Sequence, residues 1–301
     1  MKKDNLIGHI CLIAANLLYG INYVIAKGIM PDYLMPRAII FIRVSGAVLL
    51  FWIFSLFSPK EKVETKDLFK LALCSVFGVA INQIMFFEGL NLTTPINSSI
   101  IMTINPILVL IFSYFLIKER ITIIKILGIV LGAGGAILLI TSHGQVSLDS
   151  DTFTGNLFIV INATSFALYL VLVKPLMVKY SPWTIMKWIF TFGFIWIFPF
   201  CIIPISESDF STIPMNIAGS VLYIVLAATF LGYLLYNFAL RRVSPVLVST
   251  YMYLQPLIAS IVAIFISGDK LTYEAVISAI LIFIGVYFVS VSKLRFGSKK
   301  L

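Results

Sequence analysis

Residues Pro95 to Thr122, PINSSIIMTINPILVLIFSYFLIKERIT, have the same layout as residues Pro245 to Thr272, PVLVSTYMYLQPLIASIVAIFISGDKLT. Each stretch is a long apolar segment with an internal proline, polar residues before that proline, and a charged ending that contains threonine. Aligned without a gap, the two stretches share Pro95/Pro245, Ser99/Ser249, Met102/Met252, Pro106/Pro256 and Thr122/Thr272. The pattern indicates one structural unit that occurs twice in the chain.

The composition is that of a protein that lies in a lipid bilayer. Of the 301 residues, 60% are hydrophobic and 12% are charged, and the mean hydropathy is +1.04. A soluble domain of this length does not need so much apolar sequence. The formal net charge is +9, but the basic residues lie in short loops between apolar segments, so we expect no nucleic-acid partner. The three cysteines have no paired spacing and no nearby histidines, so we expect no metal, cofactor or disulfide.

Apolar windows of about 20 residues predict ten transmembrane helices. They lie near residues 6–26, 38–57, 68–90, 95–117, 123–141, 154–174, 183–204, 215–239, 245–267 and 273–292. Lys2 and Lys3 lead directly into the first apolar run, with no evident cleavage site after it, so this segment is expected to stay in the protein as a helix.

The distribution of basic residues predicts the orientation of the helices. With an inside N-terminus, all but four of the 22 basic residues fall in cytoplasmic segments. The exceptions are Lys27, Arg37 and Lys270 outside and Arg43 within the second helix. Lysine and arginine are enriched in cytoplasmic loops, so both termini are expected in the cytoplasm.

Two halves of five helices each follow from the repeat. An offset of 147 positions pairs Gly8 with Gly155 and Lys27 with Lys174, so the first and sixth helices also correspond. The predicted organisation is a first repeat at 1–141, an outside linker at 142–154, a second repeat at 155–292 and a basic cytoplasmic tail at 293–301. Because five is odd, the second half enters the membrane in the opposite orientation. Inverted repeats are a recurrent transporter architecture with a mid-membrane site; an ion channel or receptor does not require this symmetry, although neither is excluded by it.

Polar side chains collect on the first, third, fourth, sixth, eighth and ninth helices, which are therefore expected to line a pathway. The predicted substrate-binding residues form an aromatic, amide-rich and mostly uncharged set: Asn16, Tyr19, Asn22, Gln83, Phe87, Ser98, Met102, Asn105, Asn162, Tyr169, Tyr233, Asn237, Tyr251 and Gln255. The alternative is that these groups join helices by hydrogen bonds. Pro106 and Pro256 each remove a backbone donor in mid-helix and are candidate hinges, or else static kinks.

Two charges within the predicted helices need a separate explanation. Arg43 lies early in the second helix and Glu88 near the end of the third, and the topology puts both in the same outer layer. The hypothesis is that they pair, and that the pair, or Glu88 alone as a proton acceptor, couples protons to transport. The alternative is a structural salt bridge or a snorkelling arginine.

Three other features are assigned structural roles. Thr122 and Thr272 are expected to cap the helices that follow them, with Glu119 and Asp269 nearby stabilising the helix ends. Gly128 and Gly132 form a small-xxx-small pattern on the fifth helix, which is typical of close helix packing.

Several motifs resemble the drug/metabolite transporter superfamily, of the type with two EamA domains. The first half carries Phe86-Phe87-Glu88-Gly89-Leu90, Thr94-Pro95, Ser98-Ser99, Asn105-Pro106 and Lys118-Glu119-Arg120. The second half carries Ala239-Leu240, Ser244-Pro245, Ser249, Gln255-Pro256 and Asp269, and Arg43, Lys27 and Lys174 also fit. Similar proteins often have Trp-Gly where this chain has Tyr19-Gly20, and their pattern does not demand an acidic residue at position 88.

The resemblance implies a ten-helix inner-membrane transporter, often an exporter of amino acids or other small metabolites, that works as a monomer with its cavity between the halves. A related alternative is an exchanger of sugar phosphates or nucleotide sugars, for which several cavity lysines or arginines are expected. An intramembrane enzyme is a weaker alternative, because the sequence has no HExxH, no GxSxG and no paired membrane aspartates.

Overall fold

A computed structural model describes residues 3–58, 60–142, 150–258, 261 and 273–292. All regular secondary structure within these ranges is helical. Nine of the helices in this part of the chain are long and apolar enough to cross a membrane. The remaining predicted span starts at Pro245, and most of its second half lies outside the described residues. The linker residues 143–149, the cap at Thr272 and the tail 293–301 also lie outside them.

We number the membrane helices α1 to α10 in chain order. Their bounds are Lys3–Ile29 (α1), Pro36–Ser55 (α2), Thr65–Leu92 (α3), Pro95–Met102 with Asn105–Ile117 (α4), Ile123–Ser142 (α5), Ser150–Lys179 (α6), Pro182–Ser206 (α7), Met215–Arg242 (α8), Pro245–Thr250 with its continuation to 258 (α9) and Tyr273–Val291 (α10). Nine predicted helices are present over their length and the ninth in chain order is described as far as residue 258, while the end of the predicted linker at 150–154 already belongs to α6.

Four helices are irregular at matching positions in the two halves. A π-helical segment, Val76–Ala80, interrupts α3, and another, Ile224–Leu231, interrupts α8. The helix α4 breaks at residues 103–104, just before Asn105-Pro106, and α9 tightens into a 3₁₀ turn at Tyr251–Tyr253, just before Gln255-Pro256. Proline cannot donate a helical hydrogen bond, which explains both breaks. Such irregular turns recur at functional sites.

The helices α4 and α9 also begin in the same way. The hydroxyl of Thr94 accepts a hydrogen bond from the Asn97 backbone N–H at 3.1 Å, and that of Ser244 accepts one from Leu247 N–H at 3.4 Å. In both cases proline follows the cap at the first helical position, where its missing N–H costs nothing. The predicted cap at Thr122 is present, since it accepts from the Lys125 N–H at 3.3 Å.

The main helix pairs each join one helix of the first half to one helix of the second half. The first helix of each repeat packs on the third helix of the other, so α1 contacts α8 and α6 contacts α3. Equivalent helices pack on each other in the pairs α2 with α7 and α5 with α10. In the α5/α10 pair the backbones approach so closely that a Cβ at Gly128 would lie 2.7 Å from the Gly285 carbonyl oxygen. Close packing at the predicted glycine pattern is thus present.

Two lysines show that the repeats are inverted. Lys27, at the end of α1, donates to the carbonyl oxygen of Leu90 at 3.1 Å, at the end of α3. Lys174, in the last turns of α6, donates to the carbonyl oxygen of Leu240, at the end of α8. We call the end of the bundle at the α1–α2 connection the Pro31 face and the opposite end the Glu64 face. The first contact lies toward the Pro31 face and the second toward the Glu64 face.

The outer surface of the bundle is suited to lipid. Large apolar side chains are exposed all around it, among them Phe69, Phe115, Ile123 and Val178. Charges concentrate at the ends instead: Asp67 at the start of α3 accepts from Lys179 at 2.6 Å and Tyr180 at 2.9 Å at the end of α6. An apolar belt between charged ends is the surface that a bilayer requires. The protein is therefore an all-helical, multi-pass membrane protein built from two repeats.

Candidate functional site

A central cavity of about 80 Å³ lies between the α1/α8 pair and the α3/α6 pair. All six helices that the sequence marked as polar contribute to its wall, and α2 adds Arg43. The lining residues are Tyr19, Asn22, Tyr23, Arg43, Asn82, Gln83, Phe86, Met102, Asn162, Phe166, Tyr233, Tyr236, Met252 and Gln255.

The cavity lies on the pseudo-two-fold axis that relates the repeats. Gln83 and Tyr233 are equivalent residues, 150 positions apart, and the Gln83 amide nitrogen donates to the Tyr233 hydroxyl at 2.5 Å. Thr103 and Tyr253 are equivalent too, and the Tyr253 hydroxyl donates to the Thr103 carbonyl oxygen at 3.2 Å. A residue that contacts its own equivalent must lie close to the axis. The axis therefore passes through this wall of the cavity.

A second layer of hydrogen bonds also repeats between the halves. The Gln255 amide nitrogen donates to Asn16 Oδ1 at 2.9 Å. The equivalent residue Asn105 donates to the carbonyl oxygen of Ala163, the counterpart of Asn16, at 2.8 Å. Both bonds join the irregular part of a fourth helix to the first helix of the other half. They hold the polar segment before each proline in place.

Two amide oxygens in the cavity wall have no hydrogen-bond partner among the described residues. They are Oδ1 of Asn22 and Oδ1 of Asn162, both buried. The Asn162 nitrogen donates to the Asn82 carbonyl oxygen at 2.7 Å, which fixes the side chain, while its oxygen stays unpaired among the described residues. Unpaired buried acceptors cost free energy, so they mark positions where a ligand or water can bind.

Arg43 brings the cavity its cationic group. The side chain is 3% exposed, and its Nε donates to the Thr229 hydroxyl at 2.8 Å. Thr229 belongs to the π-helical segment of α8 and donates in turn to the Ile224 carbonyl oxygen at 2.7 Å. The guanidinium carbon lies 4.8 Å from the ring centroid of Phe87. The irregular turn of α8 thus orients the arginine within the helix bundle.

The proposed pair of Arg43 with Glu88 is wrong for this structure. Glu88 accepts a hydrogen bond from Arg37 Nε at 2.6 Å, close to the Pro31 face, and lies outside the central cavity. Arg37 precedes Arg43 by almost two turns of α2, so the two arginines lie at different depths and only the outer one reaches the carboxylate. The sequence predicted Arg43 and Glu88 in one layer of the membrane. Because Arg37 lies closer to the Pro31 face than Arg43 does, Glu88 pairs with Arg37 instead.

A larger side cavity of about 420 Å³ adjoins the central one. The two share Tyr23, Met102, Met252 and Gln255, which form the wall between them. The remaining lining residues come from α1, α4, α5 and α9 and are mostly apolar: Val24, Lys27, Gly28, Ile96, Ser99, Thr103, Leu139, Ile140, Tyr253 and Pro256. The equivalent methionines Met102 and Met252 line both cavities.

Several predicted binding residues lie behind the cavity wall. Phe87 packs under Arg43, and Asn16 holds Gln255. The Tyr169 hydroxyl donates to Asn237 Oδ1 at 2.8 Å, so these two residues satisfy each other. Ser98 is fully buried and lines neither cavity. The hydrogen bonds of Asn16, Tyr169 and Asn237 match the alternative that polar groups join the helices. Ser98 Oγ has no hydrogen-bond partner among the described residues.

Asn105 and Tyr251 are displaced by the helix breaks. Ser98, Met102 and Asn105 have the i, i+4, i+7 spacing that would put them on one face of a continuous helix. The turn at residues 103–104 instead rotates Asn105 toward α6. The 3₁₀ turn at Tyr251 likewise directs its hydroxyl to His9 Nδ1, at 2.5 Å, instead of toward Gln255. Residues at i, i+4 and i+7 share a face only where the helix between them is regular. Pro106 is buried at the restart of α4, and Pro256 lines the side cavity.

Six lining residues are absent from the predicted set. Phe86 and Tyr236 lie one turn from predicted residues, Met252 is equivalent to Met102, and the others are Tyr23, Asn82 and Phe166. Each had a signal in the sequence. Tyr23 follows Tyr19 by four residues, Phe166 follows Asn162 by four, and Asn82 directly precedes Gln83. Helical neighbours at this spacing share a face.

The fold and the cavity define a class of protein: a two-repeat helical membrane transporter. The chain belongs to the EamA-like transporter family, whose model matches residues 6–141 and 153–291. The matched ranges correspond to the two repeats.

Several of its relatives carry transporter names. A protein of Archaeoglobus fulgidus called "Uncharacterized transporter" is 25% identical over 258 residues, which cover 85% of this chain and 89% of the relative. "Uncharacterized transporter YyaM" of Bacillus subtilis is 24% identical over 289 residues, with coverage of 95% and 93%. A "Probable terminal-alkyne amino-acid exporter" of Streptantibioticus cattleyicolor is 23% identical over 210 residues, with coverage of 69% and 68%. The family implies a small-molecule substrate and a lipid environment.

A solved crystal structure has the same fold. It aligns with a TM-score of 0.77 over 96% of this chain and 98% of its own, at 14% sequence identity.

Proposed function

We propose that the chain is a secondary transporter that moves small organic metabolites, amino acids or similar neutral or zwitterionic solutes, across the cytoplasmic membrane. In this proposal it exports them by alternating access and works as a monomer with both termini in the cytoplasm. The Streptantibioticus relative is named a probable terminal-alkyne amino-acid exporter, which supports export as the direction of transport and amino acids as the class of solute. The charge distribution of the loops supports the orientation.

One observation carries the proposal: a cavity whose lining includes amides, tyrosines and one arginine lies on the axis between two inverted repeats. Burying so many amides and hydroxyls in a membrane protein is costly unless they serve one another or a solute. A site on the symmetry axis can be reached from either face by exchanging the conformations of the two halves. The α1/α8 and α3/α6 pairs are the elements that would tilt past each other, because the cavity separates them.

The exchanger of phosphate esters is less well supported. Dianionic phosphate is held by several lysines or arginines in most proteins. Among the described residues that line the central cavity, Arg43 is the single lysine or arginine. One cation matches a singly charged acidic group better than a dianion.

Proton coupling through Glu88 stays a separate hypothesis. Its carboxylate lies in an ion pair near the Pro31 face, outside the cavity. Glu88→Gln removes the proton acceptor, so a coupled transporter would lose its response to an imposed pH gradient. A variant that keeps the wild-type response would refute the role of Glu88 and leave the transport function intact.

The test of the proposed function is a counterflow experiment. Purified protein in proteoliposomes is offered radiolabelled amino acids, nucleosides and sugar phosphates, with and without an imposed pH gradient. We expect saturable counterflow of at least one neutral or zwitterionic solute. Counterflow restricted to phosphate esters would overturn the proposal in favour of the exchanger.

A further inference from the structure

We propose that Arg43 binds the carboxylate of the transported solute, and that the free amide oxygens of Asn22 and Asn162 receive its amino group. The site would then select solutes with one carboxylate. This inference rests on the proposed transport function and specifies the substrate chemistry of the same cavity.

The first argument is the uncompensated charge of Arg43. Guanidinium stays protonated in proteins, and Arg43 lies seven residues inside α2, about 10 Å below its start at the helical rise. The ion pairs formed by described residues do not include Arg43. A buried cation at membrane depth is unfavourable without an anion or a polar cavity. A bound carboxylate would supply the missing negative charge.

The second argument is the orientation of the guanidinium. Thr229 accepts from Nε, and Phe87 packs against the planar group. The two terminal nitrogens form no hydrogen bond with any described residue, although Arg43 lines the central cavity. A pair of parallel N–H donors on these nitrogens matches the two oxygens of a carboxylate. Holding the arginine from behind leaves this pair free for the solute.

The third argument is the presence of free acceptors in the same cavity. An ammonium group has three donors and no acceptor, so it needs oxygen atoms. Oδ1 of Asn22 and Oδ1 of Asn162 are buried and unpaired within the described part of the chain. A cavity that offers one cation and two free amide oxygens is complementary to a zwitterion.

The size of the two cavities fits this division. About 80 Å³ is less than the roughly 300–1,000 Å³ of typical ligand pockets. It holds the charged end of a solute, while the adjoining and mostly apolar side cavity takes the rest past Met102 and Met252. An amino acid with an apolar side chain fits this arrangement, because its charged groups are at one end and its apolar side chain is at the other.

The experiment compares acids with their esters. Wild-type protein in proteoliposomes is screened for counterflow with the proteinogenic L-amino acids, and those that exchange are tested again as methyl esters and as the corresponding decarboxylated amines. The same probes are applied to Arg43→Gln, Arg43→Lys and Thr229→Val. Arg37→Gln serves as the control, because Arg37 lies on the same helix but lines neither cavity.

We expect wild type and Arg37→Gln to prefer the acid over the ester by roughly tenfold or more, the size expected for a charge-assisted hydrogen bond. Arg43→Gln is expected to lose this preference, while Arg43→Lys and Thr229→Val keep part of it. Retention of the full preference in folded Arg43→Gln would overturn the inference; if that variant does not fold, a full wild-type preference in Arg43→Lys and Thr229→Val would overturn it. Counterflow without any preference in wild type would also refute the role of Arg43 but not transport. Absence of counterflow for every amino acid, together with none for the nucleosides and sugar phosphates of the earlier panel, would refute the transport function itself.

Discussion

Gln83 and Tyr233 occupy the same position in the two repeats and form a hydrogen bond with each other, at 2.5 Å between the amide nitrogen and the hydroxyl. The Tyr233 hydroxyl also lies 3.1 Å from Asn82 Oδ1 and 3.2 Å from the carbonyl oxygen of Gly78, in the π-helical segment of α3. One contact on the axis therefore joins both halves and an irregular turn.

Breaking this contact is expected to destabilise the protein. Tyr233→Phe leaves the buried Gln83 amide nitrogen without its acceptor, which costs about 1–3 kcal/mol. Gln83→Leu removes one bond of a hydroxyl that keeps its acceptors on Asn82 and Gly78, so it should cost about 1 kcal/mol. The double variant should lose less than the sum, with a coupling energy of about 1 kcal/mol. Unfolding of the four proteins in mixed micelles measures this cycle. Tyr33→Phe, which removes the hydroxyl of an exposed tyrosine, should have no effect, and additive losses would contradict the contact.

Lys27 and Lys174 are expected to have opposite effects on access to the cavity. Lys27 ties α1 to α3 toward the Pro31 face, and Lys174 ties α6 to α8 toward the Glu64 face. If the helix pairs tilt as proposed, Lys27→Met favours opening at the first face and Lys174→Met at the second. Each lost contact is a hydrogen bond to a charged group, so the shift in population should be several-fold or more.

A cysteine at Ser99, which lines the side cavity, reports this change in a background without native cysteines. Its labelling rate by a polar maleimide should rise in Lys27→Met and fall in Lys174→Met. The same direction of change in both variants would refute the idea that the two lysine contacts hold opposite faces of the bundle closed.

The glycine contact between α5 and α10 is expected to tolerate no side chain. A Cβ at Gly128 would lie 2.7 Å from the Gly285 carbonyl oxygen and 2.8 Å from Val289 Cγ2. Gly128→Val should therefore cost about 1–3 kcal/mol through overpacking, and lower the Tm by roughly 2 to 10 °C. Gly134→Val is the matched control on the same helix, because nothing lies within 4 Å of a Cβ there. Equal Tm values for the two variants would contradict the packing.

Acidification is expected to remove a contact at the Glu64 face. Partial burial raises the pKa of Glu61, but the Ser181 backbone N–H, which donates to it at 2.9 Å, and the hydroxyls of Thr184 and Ser181 bring that pKa below its ordinary value. A folded-state pKa below the unfolded one means that the carboxylate stabilises the protein above its unfolded pKa, and that this stabilisation disappears as pH falls through the folded pKa. The Tm of wild type should exceed that of Glu61→Gln at pH 7, and the difference should vanish in acid. A difference that persists in acid strong enough to protonate the Glu61 carboxylate would be inconsistent with this role.

The apolar windows and the internal repeat were sufficient to predict the fold. The apolar windows predicted every described helix to within a few residues, because a helix in lipid must satisfy its own backbone over a fixed length. The pairing of Pro106 with Pro256 predicted the repeat, and the odd number of helices per half predicted its inversion. The structure has both, and the contacts of Lys27 and Lys174 lie at opposite faces.

The cavity was only partly predictable, because its lining depends on where helices are irregular. Tyr19, Asn22, Gln83, Met102, Asn162, Tyr233 and Gln255 were predicted and line it. Nothing in the sequence predicted the two π-helical segments, which contain no proline. The segment in α8 positions Thr229 to accept a hydrogen bond from Arg43. The depth of Arg43 and the outer position of Arg37 decide which arginine meets Glu88, and both depend on packing between helices.

Filling the central cavity tests the proposed transport site most directly. Asn22→Phe places a ring in the small cavity, while Leu17→Phe places the same ring on the exposed side of α1. Counterflow of an exchanged amino acid is measured in proteoliposomes with equal amounts of folded protein, as judged by Tm and size-exclusion profile. We expect Leu17→Phe to transport at the wild-type rate and Asn22→Phe to lose at least about nine-tenths of it. Wild-type counterflow by a folded Asn22→Phe variant would contradict the claim that the solute passes through this cavity.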